Sequence, residues 1–169
     1  MGLMIVILLF IGAVLFAATM IFMQPSFKKN CWVAVGLILT LGSIGLIVLN
    51  YHNHFGTTEV KTTITYPLTS SSQHGHQLWY RQLGTKNERV YLYQTNPLVK
   101  TLKKTNPATT TVTVKQNQAT NQLKITKVYR VYSSEELRIL FGISGNDHQF
   151  VRQYDQFSLK PGWHVVKLN

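Results

Sequence analysis

The chain has 169 residues, 45% of them hydrophobic, with 17 Lys and Arg against 6 Asp and Glu and a formal net charge of +11. One cysteine, Cys31, excludes a disulfide framework, and the length leaves room for one modest domain beyond any membrane segment. The charge favours anionic partners such as nucleic acid, lipid headgroups or polyanionic wall polymers; its plainer use is solubility.

Two uncharged apolar runs open the chain, Gly2 to Met23 and Cys31 to Leu49, separated by Gln24-Pro25-Ser26-Phe27-Lys28-Lys29-Asn30. As helices they would be roughly 33 Å and 28 Å long, against about 30 Å of bilayer hydrocarbon. The expectation is a transmembrane helical hairpin over residues 1–52, with spans at about 2–23 and 31–49. No basic n-region follows Met1, the apolar run is too long and no clear Ala-x-Ala site follows it, so a signal peptide is not expected. Cys31, at the mouth of the second span, reads as a small apolar filler.

Basic residues near span ends set orientation. Lys28 and Lys29 sit in the loop, and neither outer flank carries a basic residue before Lys61. The loop, residues 24–30, is therefore expected in the cytoplasm and the C-terminal domain, residues 57–169, outside it. Every acidic residue lies in that domain. Removing the two loop lysines leaves it 15 basic against 6 acidic side chains, a charge of +9. Ala13, Ala17 and Met20 share a face of the first span, and Gly36, Thr40 and Ser43 share one of the second. Small residues at such spacings let helix backbones approach closely. Gly42 and Gly45 occupy a second face that would suit a membrane-protein partner.

Beyond the hairpin, Val60, Thr62, Ile64 and Tyr66 alternate with polar residues, the period of a strand, and Pro67 ends it. Gln77 to Leu83 and Glu88 to Thr95 read as strands joined by Gly84-Thr85-Lys86-Asn87. Asn96-Pro97 and Asn106-Pro107 bracket a basic stretch that is either one helical turn or irregular. Thr109 to Lys115 and Gln122 to Tyr132 are two more strands; in the second, Leu123, Ile125, Tyr129 and Val131 are set against Lys124, Thr126, Arg130 and Tyr132. Ser133-Ser134-Glu135-Glu136 fits a capping box with Ser133 as N-cap, opening a short helix over about 134–141. Gln149 to Leu159 is strand, Lys160-Pro161-Gly162-Trp163 suits a type II turn, and His164 to Leu168 is a last strand. The predicted fold is a membrane hairpin followed by a mainly antiparallel β domain with one short helix.

The run Leu140-Phe141-Gly142-Ile143-Ser144-Gly145-Asn146, with the Thr-rich hairpin before it and a Trp-containing strand after it, resembles an uncharacterised membrane-protein family of lactic acid bacteria, domain of unknown function 4811. The resemblance covers nearly the whole chain. It implies a membrane location and no assigned activity, so no catalytic residue carries over. It also implies a Gram-positive envelope, where wall and lipoteichoic acids are polyanions.

Candidate chemistry is sparse. His52/His54 and His74/His76 form two His-x-His pairs, which on extended chain project to one side and are the weak candidates for a metal; interfacial or loop histidines are the simpler reading, and no cofactor is expected. The acidic residues offer no obvious catalytic pair, since Glu135 and Glu136 are adjacent on a helix and point apart. Gly142-Ile143-Ser144-Gly145 falls one residue short of a nucleophile elbow, and phosphate, dinucleotide and zincin motifs are absent. Arg81, Arg89, Lys100, Lys103, Lys104, Arg130 and Arg152, beside exposed aromatics, are the anion-binding candidates. The expected function is a non-enzymatic, membrane-anchored extracytoplasmic binding module that contacts membrane lipid and an anionic envelope polymer or a protein partner; nucleic acid is not expected. The alternatives are an accessory subunit of a larger membrane complex, and an envelope hydrolase or metal-binding protein.

Overall fold

The computed structural model describes residues 3–72, 75–84, 88–99 and 101–168. Two helices come first, α1 (Met4–Phe22) and α2 (Phe27–Asn53), both long and apolar enough to cross a membrane by length and composition. Eight strands and a third helix follow among the described residues: β1 (Thr57–Pro67), β2 (Gln77–Leu83), β3 (Glu88–Tyr93), β4 (Lys103–Lys104), β5 (Thr110–Lys115), β6 (Gln122–Tyr132), α3 (Glu135–Phe141), β7 (Gln149–Ser158) and β8 (His164–Lys167). A 3-10 turn, Gly142–Ser144, continues α3. The chain divides into two compact units: Met1–Glu59 with Arg130–Gln149, and Val60–Tyr129 with Phe150–Asn169.

In the first unit, α2 begins at Phe27, four residues before the expected start. Ser26 is its N-cap and accepts from the Lys29 backbone N–H at 3.2 Å. The Lys29 ammonium donates to the Met20 carbonyl at 3.1 Å, satisfying a free carbonyl near the C-terminus of α1. The buried residues of α1 are Ile5, Gly12 and Thr19, and those of α2 are Gly36, Ser43 and Asn50. Each set recurs every seventh residue, the spacing of a continuous seam between two helices.

Gly12 and Gly36 make that seam close. A Cβ on Gly12 would lie 2.9 Å from Thr40 N, and one on Gly36 would lie 2.8 Å from Phe16 N. On α2 the expected face Gly36, Thr40 and Ser43 is the one that meets α1. On α1 the seam residues are Gly12, Phe16 and Thr19; Ala13 is half-buried, and Ala17 and Met20 are exposed. The α1 choice turns on glycine: no side chain at all permits closer approach than alanine does. Thr19 folds its hydroxyl back onto the Leu15 and Phe16 carbonyls, so the polar group costs nothing in the seam.

The helix cap also differs from expectation. Ser134, not Ser133, is the N-cap of α3 and accepts from the Leu137 N–H. Ser133 is engaged elsewhere, donating from both its N–H and its hydroxyl to the Gly56 carbonyl at 3.0 Å. Glu136 is held below the usual carboxylate range, chiefly by the Ser134 hydroxyl and then by its own backbone N–H.

The strands form two sheets, in the orders β1-β6-β7-β5 and β4-β3-β2-β8. The pairing is mixed: β2–β3 and β3–β4 are antiparallel, while β2–β8 and β5–β7 are parallel. In the second unit both sheets contribute to one core of Leu68, Leu78, Tyr91, Tyr93, Leu123, Phe157, Leu159 and Trp163. β5 follows the alternation of its sequence, with Val112 and Val114 turned toward this core. In β6 the buried positions change phase, from Leu123 to Val128 and Tyr132, so the simple alternation breaks in mid-strand. β1 is an edge strand with one neighbour, and its Val60 and Ile64 stay 45% and 48% exposed.

The two Asn-Pro brackets are both Asx turns. Asn96 Oδ1 accepts from Leu98 N–H at 3.0 Å, and Asn106 Oδ1 accepts from Ala108 N–H at 3.1 Å. The stretch between them contributes β4, a two-residue strand opposite Leu92 and Tyr93, rather than a helical turn. At the Lys160–Trp163 turn, Gly162 takes φ +85° and Trp163 N–H donates to Lys160 O, as predicted.

One charge is enclosed in this core. Asp155 is 1% exposed; its Oδ1 accepts from Gln153 Nε2 at 2.8 Å, and its Oδ2 has no hydrogen-bond partner. Burial raises its pKa, opposed by the Gln153 hydrogen bond and by Lys127. The Tyr93 phenol is also raised, by burial first and then by Asp155 and Tyr66.

Candidate anion-binding groove

Strand register determines which cations share a surface. β2 and β3 pair with Arg81 opposite Val90 and Trp79 opposite Leu92, and β4 adds Lys104 opposite Leu92. Directly paired residues point to the same side of a sheet. Arg81, Val90, Leu92 and Lys104 therefore lie on one face, the face opposite to Leu78, Tyr91 and the core. Arg81 and Lys104 stand on the two strands that flank β3, offset by two residues along it, so their backbones are roughly 12 Å apart.

These residues enclose a groove of about 690 Å³, lined by Arg81, Leu83, Val90, Leu92, Lys104, Thr105, Asn106 and Pro107. Val90 and Leu92 form its floor, and Leu83, 41% exposed, extends the apolar strip. The far wall is a fixed turn. Thr105 donates its N–H to Tyr91 O at 3.0 Å and accepts the Tyr91 N–H on its hydroxyl at 2.9 Å. Asn106 then makes its Asx turn, which sets Pro107 in place. Among the described residues that line the groove, none is acidic.

None of the other described cation candidates lines this groove. Arg89 lies over the Tyr80 ring at 4.8 Å and lines a separate hollow with Glu88, Tyr91, Pro107, Thr110 and Val112. Lys103 lies 5.8 Å over the Tyr66 ring and donates to Thr95 Oγ1 at 3.3 Å. Arg152 stacks on Tyr154 at 5.9 Å. Arg130 donates to Gln149 Oε1 at 3.1 Å in the first unit. Lys100 lies outside the described residues. The apolar lining residues Leu83, Val90, Leu92 and Pro107 are absent from the candidates read from sequence. The signal was present: a four-residue connection at 84–87 puts Leu83 opposite Glu88, and the register then places Arg81 beside Val90.

The described histidines each have a local setting. His52 is exposed in the last turn of α2, and His54 caps that helix at φ +54° with its Nδ1 buried and unpartnered. His76 is exposed and stacks on Trp163 at 5.6 Å, and its carbonyl accepts from the His164 N–H. His74 lies outside the described residues. Among the described residues, no group of three or more His, Cys, Asp or Glu is placed to hold a metal ion.

The run Leu140 to Asn146 has a structural place in the first unit. Phe141 is 2% exposed, sits edge-on to Phe55 and accepts the Tyr132 hydroxyl on its carbonyl at 2.8 Å. It packs with Ile5, Leu46, Ile47, Leu137 and Leu140, so α3 is docked on the hairpin. Gly145 takes φ +75°, a turn that ordinary side chains resist, and the next residue, Asn146, is buried against Asn50. A cleft of about 350 Å³ remains, lined by Ile5, Val6, Ile47, Asn50, Tyr51, Phe141 and Ile143.

Fold and groove together define a class: a two-helix apolar hairpin joined to a mixed β module that carries a cationic, partly apolar groove. Residues 24–168 match the family described as Domain of unknown function (DUF4811), and the chain belongs to that family. No curated protein and no solved structure matches the chain.

Proposed function

We propose that this protein is a non-enzymatic, membrane-anchored binding module whose β-rich part contacts an anionic polymer of the cell envelope. In this reading α1 and α2 span the membrane, the loop with Lys28 and Lys29 is cytoplasmic, and the β-rich part is extracytoplasmic. The observation that carries it is the convergence of Arg81 and Lys104 on one groove with no acidic residue among its described lining. Two cations over a shared hollow attract phosphate or carboxylate groups, and the excess of basic residues adds long-range steering. The test is binding of poly(glycerol phosphate) to the full chain in neutral phosphatidylcholine nanodiscs. Affinity should fall with added salt and fall further in R81Q/K104Q; binding unaffected by salt and by both substitutions overturns the reading.

A second reading is supported by the second face of α2. A Cβ built on Gly42 or Gly45 meets nothing within 4 Å. That small-residue face is free to seat a helix of another membrane protein, as an accessory subunit would. Gly42→Leu with Gly45→Leu should then release partners that copurify with the wild type in mild detergent. An unchanged set of partners rejects this second reading.

A further inference from the structure

The groove is built for more than charge. A ligand that was only a polyanion would gain nothing from Val90 and Leu92 on the floor, Leu83 at one end and Pro107 on the wall. Leu83 is 41% exposed, and its paired neighbour across the strands is Glu88 rather than an apolar residue that would cover it. The volume, about 690 Å³, falls within the range of small-molecule sites. Such sites combine an apolar lining with a few placed polar groups, and here those groups are one guanidinium and one ammonium. The buried Thr105 hydroxyl is already occupied by Tyr91 N–H, so the polar wall is fixed before any ligand arrives.

We propose that the groove binds an amphiphilic anion, with a phosphate or carboxylate head held by Arg81 and Lys104 and a hydrocarbon segment lying over Val90, Leu92 and Leu83. This rests on the anion-binding reading above and narrows its ligand to one that carries apolar surface next to its charge. Arg81 suits a phosphate or carboxylate through its planar fork, and Lys104 adds a point charge from the opposite side. The apolar strip supplies selectivity between an alkyl-bearing anion and a bare one, because each buried methylene adds to affinity.

The test uses the full chain in phosphatidylcholine nanodiscs, with empty discs as the partition reference. Dissociation constants are measured for inorganic phosphate and for butyl, hexyl and octyl phosphate. In the wild type each added methylene should tighten binding by up to about fourfold. Leu83→Asn should flatten that dependence on chain length while leaving the head interaction, and R81Q/K104Q should weaken every alkyl phosphate at least tenfold. Circular dichroism confirms that the variants are folded, and the wild-type series stands without them. A flat series, with poly(glycerol phosphate) still bound in a salt-dependent way, overturns this inference and leaves the broader function intact. Alkyl phosphate affinity that stays undiminished in R81Q/K104Q also overturns it, since the head is then bound elsewhere. No binding of any anion removes both. Discs containing phosphatidylglycerol separate the sources: competition supports the inference with a membrane lipid as ligand, and chain-length-dependent binding without competition supports it with a diffusible one.

Discussion

The Asn146 side-chain amide donates to Asn50 twice, to its backbone carbonyl at 3.2 Å and to its Oδ1 at 3.3 Å, across 96 residues of sequence. Both residues are buried, at 5% and 1% exposure. Asn50 in turn donates to the Phe55 carbonyl at 2.7 Å. The last turn of α2, the chain leaving it and the turn after α3 are thus tied by one pair of side chains. Polar groups buried this deeply are costly unless they are paired. Asn146→Ala should therefore destabilise the full chain by about 1–3 kcal/mol, because it removes both hydrogen bonds of a buried amide. Thermal unfolding in detergent micelles measures this, and an unchanged midpoint would mean that the pair is not formed.

The close approach of the two long helices rests on Gly36. A Cβ there would lie 2.8 Å from Phe16 N and 2.9 Å from Phe16 Cα, atoms of a helix backbone that cannot turn aside. Gly36→Ala should push the helices apart and cost about 1–3 kcal/mol, the usual penalty of overpacking. Gly42→Ala, where the added Cβ meets nothing within 4 Å, should not lower the melting temperature and should raise it if anything, since alanine favours a helix over glycine. Equal effects at the two positions would contradict the seam.

Asp155 should make the fold less stable as the solution becomes less acidic. Its pKa is raised in the folded chain, mainly by burial. The unfolded chain releases this proton near pH 3.9, while the folded chain keeps it to a higher pH. Over that window the folded state binds more protons, so this group's contribution to stability falls as pH rises and is constant above the folded value. Asp155→Asn keeps the Gln153 bond at Oδ1 and removes the charge. The variant should unfold at higher urea than the wild type at pH 7, with the gap closing toward pH 4. A variant that is less stable at pH 7 would show that the carboxylate has a partner worth more than its burial costs.

The two adjacent serines before α3 act separately. Ser134→Ala removes the hydroxyl that caps the helix and lowers the pKa of Glu136. It should cost about 0.5–2 kcal/mol, typical of a lost N-cap. In the same variant the Glu136 carboxyl, followed by NMR titration, should move up toward its ordinary value. Ser133→Ala instead removes one of two bonds to Gly56 O and should leave the Glu136 titration where it is. If Ser133→Ala shifts Glu136, the cap is assigned to the wrong serine.

The reading of β2 and β3 shows how far local sequence reaches. Alternation places Trp79, Arg81 and Leu83 on one side of β2, and the short connection to Glu88 fixes the register, so half of the groove is written in a stretch of about twenty residues. Its other half comes from Lys104, whose strand has only two residues and no periodicity to read, and from Pro107 in the turn beyond it. Strands β8 and β5 were legible, but their parallel pairing was not, because parallel neighbours are joined by long connections that carry no turn signal.

The amino-acid sequence by itself determined the two apolar helices, the strand content, the Asn-Pro breaks, the type II turn and the excess of positive charge, since each depends on composition or on neighbours a few residues apart. Only the tertiary structure decided that Gly12 rather than Ala17 lies in the helix seam, that Ser134 caps α3 because Ser133 is held by Gly56, and that Asn146 meets Asn50. Those outcomes depend on distances between segments far apart in the chain, and close packing, not local preference, selects among the residues that would otherwise serve equally well.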